Sequence, residues 1–363
     1  MTHTTLATAL SVFLLSMAAT ASAAPCITAT TACTEWVTAG SSPARTLVYR
    51  SFPLDARNTD VTRAVVMVHG AGRDADNYFL HTLAAAFLGA ALDDTVVISP
   101  RFASNNGGCA DALADRETNW ECGGPARWTA GGEAKGAKVT SFDVMDEILR
   151  RLARRDSFPN LRTIIVAGHS AGGQFVSRYQ MSNQVHETLS IPVSYIVANP
   201  SSYAYLDPMR PTATAFAEHV SALAPGYVSA LPAKPAPPFA AFGDDDGCTA
   251  YDNWPYGLQH RVGYATRLTD DQLRKQLASR PATYLLGGLD ILPLFGFDGS
   301  CPAMAQGPTR MARGLAYAQY VNQRFGAKHE VKPVPACGHN ARCMFTDGAA
   351  LGLLFPKPAG LAR

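Results

Sequence analysis

No long run of basic residues occurs in the chain, and Lys, Arg, Asp and Glu together make up only 17% of its 363 residues. With 31 basic against 29 acidic side chains the formal net charge is +2. The concentrated positive footprint that nucleic-acid binding needs is missing. No C-x-x-C pair occurs, and no histidine lies at ligand spacing from the cysteines except His339, between Cys337 and Cys343, which argues against a zinc site. Internal repeats and a flexible interdomain linker are also lacking. The opening residues hold neither Lys nor Arg, so the basic start usual in an export signal is replaced by His3 and the amino terminus.

The rest of the N-terminal segment still has the pattern of an export signal. An apolar stretch over 6–19 leads to Ala21-Ser22-Ala23, a small-x-small cleavage signature. At about 14 residues the stretch is short for a bilayer span, which takes about 20. We therefore expect residues 1–23 to be a signal peptide, with no membrane span after cleavage and an exported product, periplasmic or secreted. Pro25 stands before Cys26 where a lipobox would place a small residue, so a lipid anchor is not expected. All eight cysteines come after the cleavage point, and an even count in an exported chain suggests disulfides. Pairing neighbours in sequence gives Cys26–Cys33, Cys109–Cys122, Cys248–Cys301 and Cys337–Cys343, one choice among more than a hundred.

The remainder, 24–363, is ample for one large domain, since 47% of the chain is hydrophobic. β-Branched runs flanked by turn residues mark strands over 46–52, 63–70, 94–102, 162–170, 193–200, 282–290 and 329–336. Many are continuous apolar runs rather than alternations, as suits strands buried on both faces of a parallel sheet. Helical spacing lies between them over 77–92, 141–155, 171–182, 304–325 and 346–355. Strands alternating with helices imply right-handed crossovers and an α/β fold, a mostly parallel central sheet covered by helices on both faces. Two stretches break the alternation, at about 103–140 and 201–280. Both come after strand C-termini, where α/β sheets bind ligands, and long irregular insertions there act as lids or binding loops.

Gly168-His169-Ser170-Ala171-Gly172 fits G-x-S-x-G. This pattern needs small residues two before and two after the serine, so that a sharp strand-to-helix turn can expose its hydroxyl. A strand pattern precedes it and a helix pattern succeeds it, which makes Ser170 the candidate nucleophile. A serine hydroxyl needs a base, and His339 lies just after the last strand. His169 adjoins the serine, but across the elbow its ring is not expected to reach back to the hydroxyl. Asp290 ends the strand pattern between Ser170 and His339 and is the expected orienting acid, with Asp298 and Asp207 as rivals. The cluster Asp244, Asp245 and Asp246 reads as a solvated turn or a calcium-binding loop. Negative charge developing on a carbonyl oxygen needs N–H donors. The amide of Ala171 is one candidate, and Ala71 or Gly72 in the loop after the second core strand is the other. Trp254, Tyr256 and Tyr203 are candidate substrate-wall aromatics, whereas Trp120 and Trp128 are expected to pack against a disulfide.

With these residues placed, the chain resembles the α/β-hydrolase fold family: "VMVHGAG", "GHSAGG", "LLGGLD" and "ACGH" occur in the family's order. More loosely, "GHSAGGQFVSRY", "DNWPYGL", the paired cysteines and the exported start are similar to secreted bacterial hydrolases that include oxidised polyvinyl alcohol hydrolase. That resemblance implies a serine hydrolase attacking β-diketone units as well as simple esters, on a small-molecule or polymer-derived carbonyl substrate. The chemistry requires no metal and no organic cofactor. A general carboxylesterase, lipase-like or polyester-degrading enzyme is the nearest alternative, and a peptidase or acyltransferase would use the same triad. A catalytically inactive binding protein of this fold is the alternative from another class.

Overall fold

The computed structural model describes residues 24–212, 239–243 and 247–356. The expected signal peptide and the cluster Asp244, Asp245 and Asp246 lie outside the described residues.

Strands β1 (Thr34–Val37), β2 (Thr46–Arg50), β3 (Arg63–Val68), β4 (Thr95–Pro100), β5 (Thr163–His169) and β6 (Val193–Ala198) come first along the chain. A small ribbon of β7 (Met209–Pro211) and β8 (Phe239–Ala241) comes next, then β9 (Ala282–Gly287) and β10 (Glu330–Val334). The central sheet has eight strands in the order β1-β2-β4-β3-β5-β6-β9-β10. β1 pairs antiparallel with β2 and β2 antiparallel with β4, while every pair from β4 to β10 is parallel. Thus the α/β architecture is the observed one. Its central strands are the β-branched runs Val65–Val66, Val96–Ile98 and Ile164–Val166, all buried, as strands covered on both faces must be.

Helices α1 (Ala75–Leu88), α2 (Ser141–Leu152), α3 (Ala171–Ser182), α4 (Asp270–Ser279), the short α5 (Cys301–Met304), α6 (Arg310–Phe325), α7 (Ala341–Thr346) and α8 (Gly348–Leu354) cover the sheet. Capping chemistry sets several boundaries. At α2 the Thr140 hydroxyl accepts the Asp143 N–H at 3.1 Å and the Asp143 carboxylate accepts the Thr140 N–H at 2.9 Å, a reciprocal capping box. Thr269 and Gln272 do the same for α4.

The helix expected over 304–325 starts only at Arg310, and Met304 is the last residue of the short α5 before it. Gly307 sits at φ +139° and Pro308 has no N–H to donate, so α5 ends and Thr309 caps α6. The helix expected over 346–355 is likewise preceded by a separate turn, because Asp347 is extended and caps α8 through the Ala349 N–H. Strand β1 carries no continuous apolar run and is not among the expected strands. Among the described residues no helix is long and apolar enough to cross a membrane. The C-terminal ends of β3, β5, β6 and β9 and the loop after β10 converge at one edge of the sheet, which is where the site forms.

Candidate active site

The turn between β5 and α3 is determined by backbone contact. A Cβ on Gly168 would lie 2.4 Å from the Gly172 carbonyl oxygen, one on Gly172 2.1 Å from that of Val68, and one on Gly173 2.5 Å from that of Ala198. Real Cβ atoms do not approach so closely, so α3 can pack down between β3 and β6 only with glycine at these positions. Ser170 at the apex has φ +59° and ψ −119°, a conformation a non-glycine residue adopts at a cost of roughly 1–3 kcal/mol. Its N–H is held by the Ala198 carbonyl at 3.0 Å, and its carbonyl starts α3 by accepting the Gln174 N–H.

The hydroxyl so presented meets the loop after β10. His339 Nε2 lies 2.9 Å from Ser170 Oγ, and His339 Nδ1 lies 2.7 Å from Asp290 Oδ2. An ionised carboxylate can only accept, which puts the proton on Nδ1 and leaves the Nε2 lone pair facing the serine hydroxyl. The structure therefore brings Ser170, His339 and Asp290 into one hydrogen-bonded chain. Neither rival acid is bonded to His339: Asp207 pairs with Arg324 at 2.6 Å, and Asp298, although it lines the cavity at Ser170, accepts the Tyr256 hydroxyl at 2.8 Å.

Around this chain, several groups that sequence reasoning missed hold it in place. Arg310 donates to the second oxygen of Asp290, Oδ1, at 3.3 Å, and both side chains are buried. The same guanidinium donates to Ser201 Oγ and to the carbonyls of Leu294 and Phe295, fixing the loop after Asp290. Asn199, itself at φ +45°, accepts the Gly287 N–H at 2.8 Å and donates to the Gly338 carbonyl at 3.4 Å. It thereby ties the end of β9 to the residue before His339. A signal for Arg310 exists in the sequence: Arg310, Arg313, Tyr317 and Tyr320 lie on one stripe of α6, and charges on an apolar stripe require partners.

The other histidines are placed for different work. His169 is buried with Nδ1 3.1 Å from the Tyr78 hydroxyl, and burial and then the charge of His339 push it well below its ordinary value. His69 Nε2 accepts the Phe102 N–H at 2.9 Å, so Nδ1 carries the proton and donates to the Gly70 carbonyl. Burial lowers the His69 imidazole to about 4, and it is neutral at ordinary pH.

A cavity of about 380 Å³ opens at Ser170, lined by Ala71, Ala171, Gln174, Trp128, Arg127 and Tyr256 among others. Ala71 and Ala171 thus flank the serine, whereas a Cβ on Gly72 would point to Asp74. Tyr256 is a wall residue. The other two proposed wall aromatics do not reach this cavity. Tyr203 is fully buried, its ring stacked on Tyr317 at 4.3 Å, because the strand-end loop that carries it turns inward against α6. Trp254 is buried with its indole N–H on the Ala130 carbonyl at 3.1 Å, and it borders a second cavity instead. Trp128, expected to pack against a disulfide, lines the site together with Tyr256 and is stacked on Phe102 at 5.4 Å. Trp120 is buried against Phe102. The cysteines are bonded Cys26–Cys33, Cys109–Cys122, Cys248–Cys301 and Cys337–Cys343. The last of these brackets His339, and Cys122 lines the cavity.

A strained serine after a parallel strand, facing a histidine and an acid supplied later in the chain, defines a class of hydrolase-fold proteins rather than one reaction. Residues 65–351 match the model of the alpha/beta hydrolase family, and the chain belongs to that family. The comparison with curated proteins gave no match. Among solved structures the chain is similar to poly(aspartic acid) hydrolase-1 from Sphingomonas sp. KT-1, with 20% identity, a TM-score of 0.57, and 89% of this chain and 97% of that one covered. It is also similar to a poly(3-hydroxybutyrate) depolymerase from Bordetella parapertussis, with 20% identity, a TM-score of 0.54, and 88% and 94% covered. At this identity the likeness shows a shared fold.

Proposed function

We propose that the protein is an exported serine hydrolase, with Ser170 as nucleophile, His339 as general base and acid, and Asp290 as the acid that orients and charges the imidazole. The observation that carries this reading is the unbroken chain Ser170–His339–Asp290, at 2.9 and 2.7 Å, beginning at a strained serine in a cavity wall. Attack of Ser170 Oγ on a carbonyl carbon passes the hydroxyl proton to His339 Nε2. The imidazolium so formed lies against Asp290, which Arg310 holds from behind. Charge on the carbonyl oxygen is met by the backbone amides of Ala171 and Ala71, which flank the serine. His339 then protonates the leaving group, and water activated by the same nitrogen clears the acyl-enzyme.

With an ester the leaving group is an alkoxide. With a β-diketone, addition to one ketone is followed by cleavage of the carbon–carbon bond, and the departing enolate takes the His339 proton. The resemblance to oxidised polyvinyl alcohol hydrolase favours β-diketone units of a polymer, and two structural neighbours are named for polymer substrates. A plain carboxylesterase is the alternative, supported by the small volume of the cavity. Export, with residues 1–23 as the signal peptide and 24–363 as one domain, is supported by four disulfides.

The test is hydrolysis of p-nitrophenyl esters by the parent and by Ser170→Ala, beside a β-diketone and oxidised polyvinyl alcohol. We expect ester turnover to fall by about 10³-fold or more in the variant. Comparable turnover in both would remove the nucleophile assignment. Ester cleavage without diketone cleavage would leave the plain esterase.

A further inference from the structure

The charges of the catalytic cavity are unevenly satisfied. Arg73 and Asp111 form a pair at 2.5 Å. The Asp298 carboxylate accepts the Tyr256 hydroxyl at 2.8 Å, the Ser300 N–H at 3.1 Å and the Ser300 hydroxyl at 2.6 Å, which occupies most of its lone pairs. Arg127 is different. It donates from Nε to the Gly124 carbonyl at 2.6 Å and weakly from Nη2 to the Tyr256 hydroxyl at 3.4 Å. Among the described residues no carboxylate is paired with it, and Nη1 has no hydrogen bond. The one acid whose backbone bridges to it, Glu121, turns its carboxylate to Asn106 at 2.5 Å.

Arg127 is nevertheless held in position. Its carbonyl begins the turn Trp128–Ala130 by accepting the Ala130 N–H at 2.9 Å, and its guanidinium lies 5.8 Å from the Tyr256 ring centre. Behind the wall, a second guanidinium adds to the field. Arg178 is fully buried beneath Thr129 and Gln174, both cavity-lining, and hydrogen-bonds the carbonyls of Thr129 and Pro255, the Gln174 side chain and the Ser202 hydroxyl. It too lacks a carboxylate partner among the described residues. A buried or half-buried cation without a counter-ion raises the affinity of the space beside it for an anion, and a guanidinium fork matches a carboxylate in both geometry and charge.

We propose that Arg127 binds a free carboxylate on the substrate, so that the enzyme prefers acyl chains carrying an anionic carboxylate a few bonds from the scissile carbonyl. The inference rests on Ser170 being the nucleophile, because it places the carboxylate in the cavity that Ser170 opens into. It applies equally whether the bond cleaved is an ester or a carbon–carbon bond. Arg127 and Tyr256 also border the second cavity, of about 260 Å³, lined by Pro125, Trp254 and Pro255. They therefore form the partition across which a longer acyl chain would extend.

The test compares two esters with five-carbon acyl chains, methyl valerate and monomethyl glutarate, monitored by methanol release. The readout is the ratio of kcat/KM for the glutarate to that for the valerate. In the parent the ratio should exceed one and fall as salt is added, since the pair is partly exposed. In Arg127→Gln it should fall by about 10- to 100-fold, the usual worth of a charge-assisted contact, and Arg127→Lys should keep part of it. A ratio unchanged within about twofold in Arg127→Gln overturns the inference, however far the separate rates move. So does a parent that cleaves the valerate and ignores the glutarate. A parent that cleaves neither these nor p-nitrophenyl esters fails one step earlier, at the hydrolase reading itself.

Discussion

The two halves of the Ser170–His339–Asp290 chain are built by opposite means. On the Ser170 side, backbone packs on backbone: Gly168, Gly172 and Gly173 leave no room for a Cβ against the carbonyls of Gly172, Val68 and Ala198. On the Asp290–His339 side, side chains tie loops together: Arg310 grips Asp290, Asn199 spans Gly287 and Gly338, and Asn340 caps α7 through the Cys343 N–H. The first half has no tolerance and no adjustable part. The second has several parts, each replaceable at a partial cost. Geometry that must be rigid is made from atoms that every residue possesses, and geometry that must be tuned is made from side chains.

The sharpest break in that contrast is Gly172→Ala. Its added methyl would sit 2.1 Å from the Val68 carbonyl oxygen and 2.6 Å from that of His69. Neither atom is a flexible side chain, so α3 must lift from β3. We expect a stability loss of about 3 kcal/mol or more, at the upper end for overpacking, together with loss of ester turnover. Urea unfolding monitored by tryptophan fluorescence would measure it, and a loss below about 1 kcal/mol would mean that the helix has room to move.

Replacing a part on the other side should leave a folded but slower enzyme. In Arg310→Met the Asp290 carboxylate loses its buried cation, and the loop through Leu294 and Phe295 loses two hydrogen bonds. A buried carboxylate no longer held at Oδ1 is displaced towards other donors and then holds His339 less well. We expect kcat to fall by about 10- to 100-fold with KM little changed, and Arg310→Lys to recover part of it. A fall in stability with kcat intact would make Arg310 a brace for the loop alone.

The same contrast explains what could be read from the sequence. A glycine that cannot be anything else leaves a local mark, so G-x-S-x-G with its flanking strand and helix was legible within a dozen residues. Asp290 and His339 were legible because chain order and strand ends place them. Asn199, Arg310 and Arg127 were not, because each acts on residues far away in sequence and looks like any polar residue until the chain is folded. Tyr203 and Trp254 show the converse error. A large aromatic in an insertion after a strand suits either a pocket wall or a core, and its type alone does not decide. Here α6 and the Ala130 carbonyl claim them.

The smallest effect expected concerns two buried ionisable groups that pack around the Ser170 half. His69, which braces the Gly70–Ala71 loop, is lowered from 6.5 to about 4 by burial. Asp146, beneath α3, is raised from 3.8 to about 6 by burial, although the Tyr179 and Tyr264 hydroxyls donate to it at 2.7 and 2.6 Å. Below pH 6.5 the unfolded chain takes up a proton that folded His69 refuses, so His69 contributes stability that is lost as pH falls from 6.5 towards 4. Asp146 works the other way. Between pH 6 and 4 the folded protein holds a proton that the unfolded chain releases, so its contribution grows as pH falls through 6. Taken from about pH 7 to about pH 5.5, each amounts to about 1 kcal/mol and the signs oppose. His81, His169, His186 and His329, all lowered with burial as the leading cause, add to the His69 direction. Relative to the parent, His69→Asn should therefore lose less stability over this interval and Asp146→Asn should lose more, each by about 1 kcal/mol, in urea midpoints taken at both pH values. Equal slopes in all three proteins would mean that the two groups titrate alike in the folded and unfolded chain, and that the Ser170 half stores no rigidity in a buried neutral group.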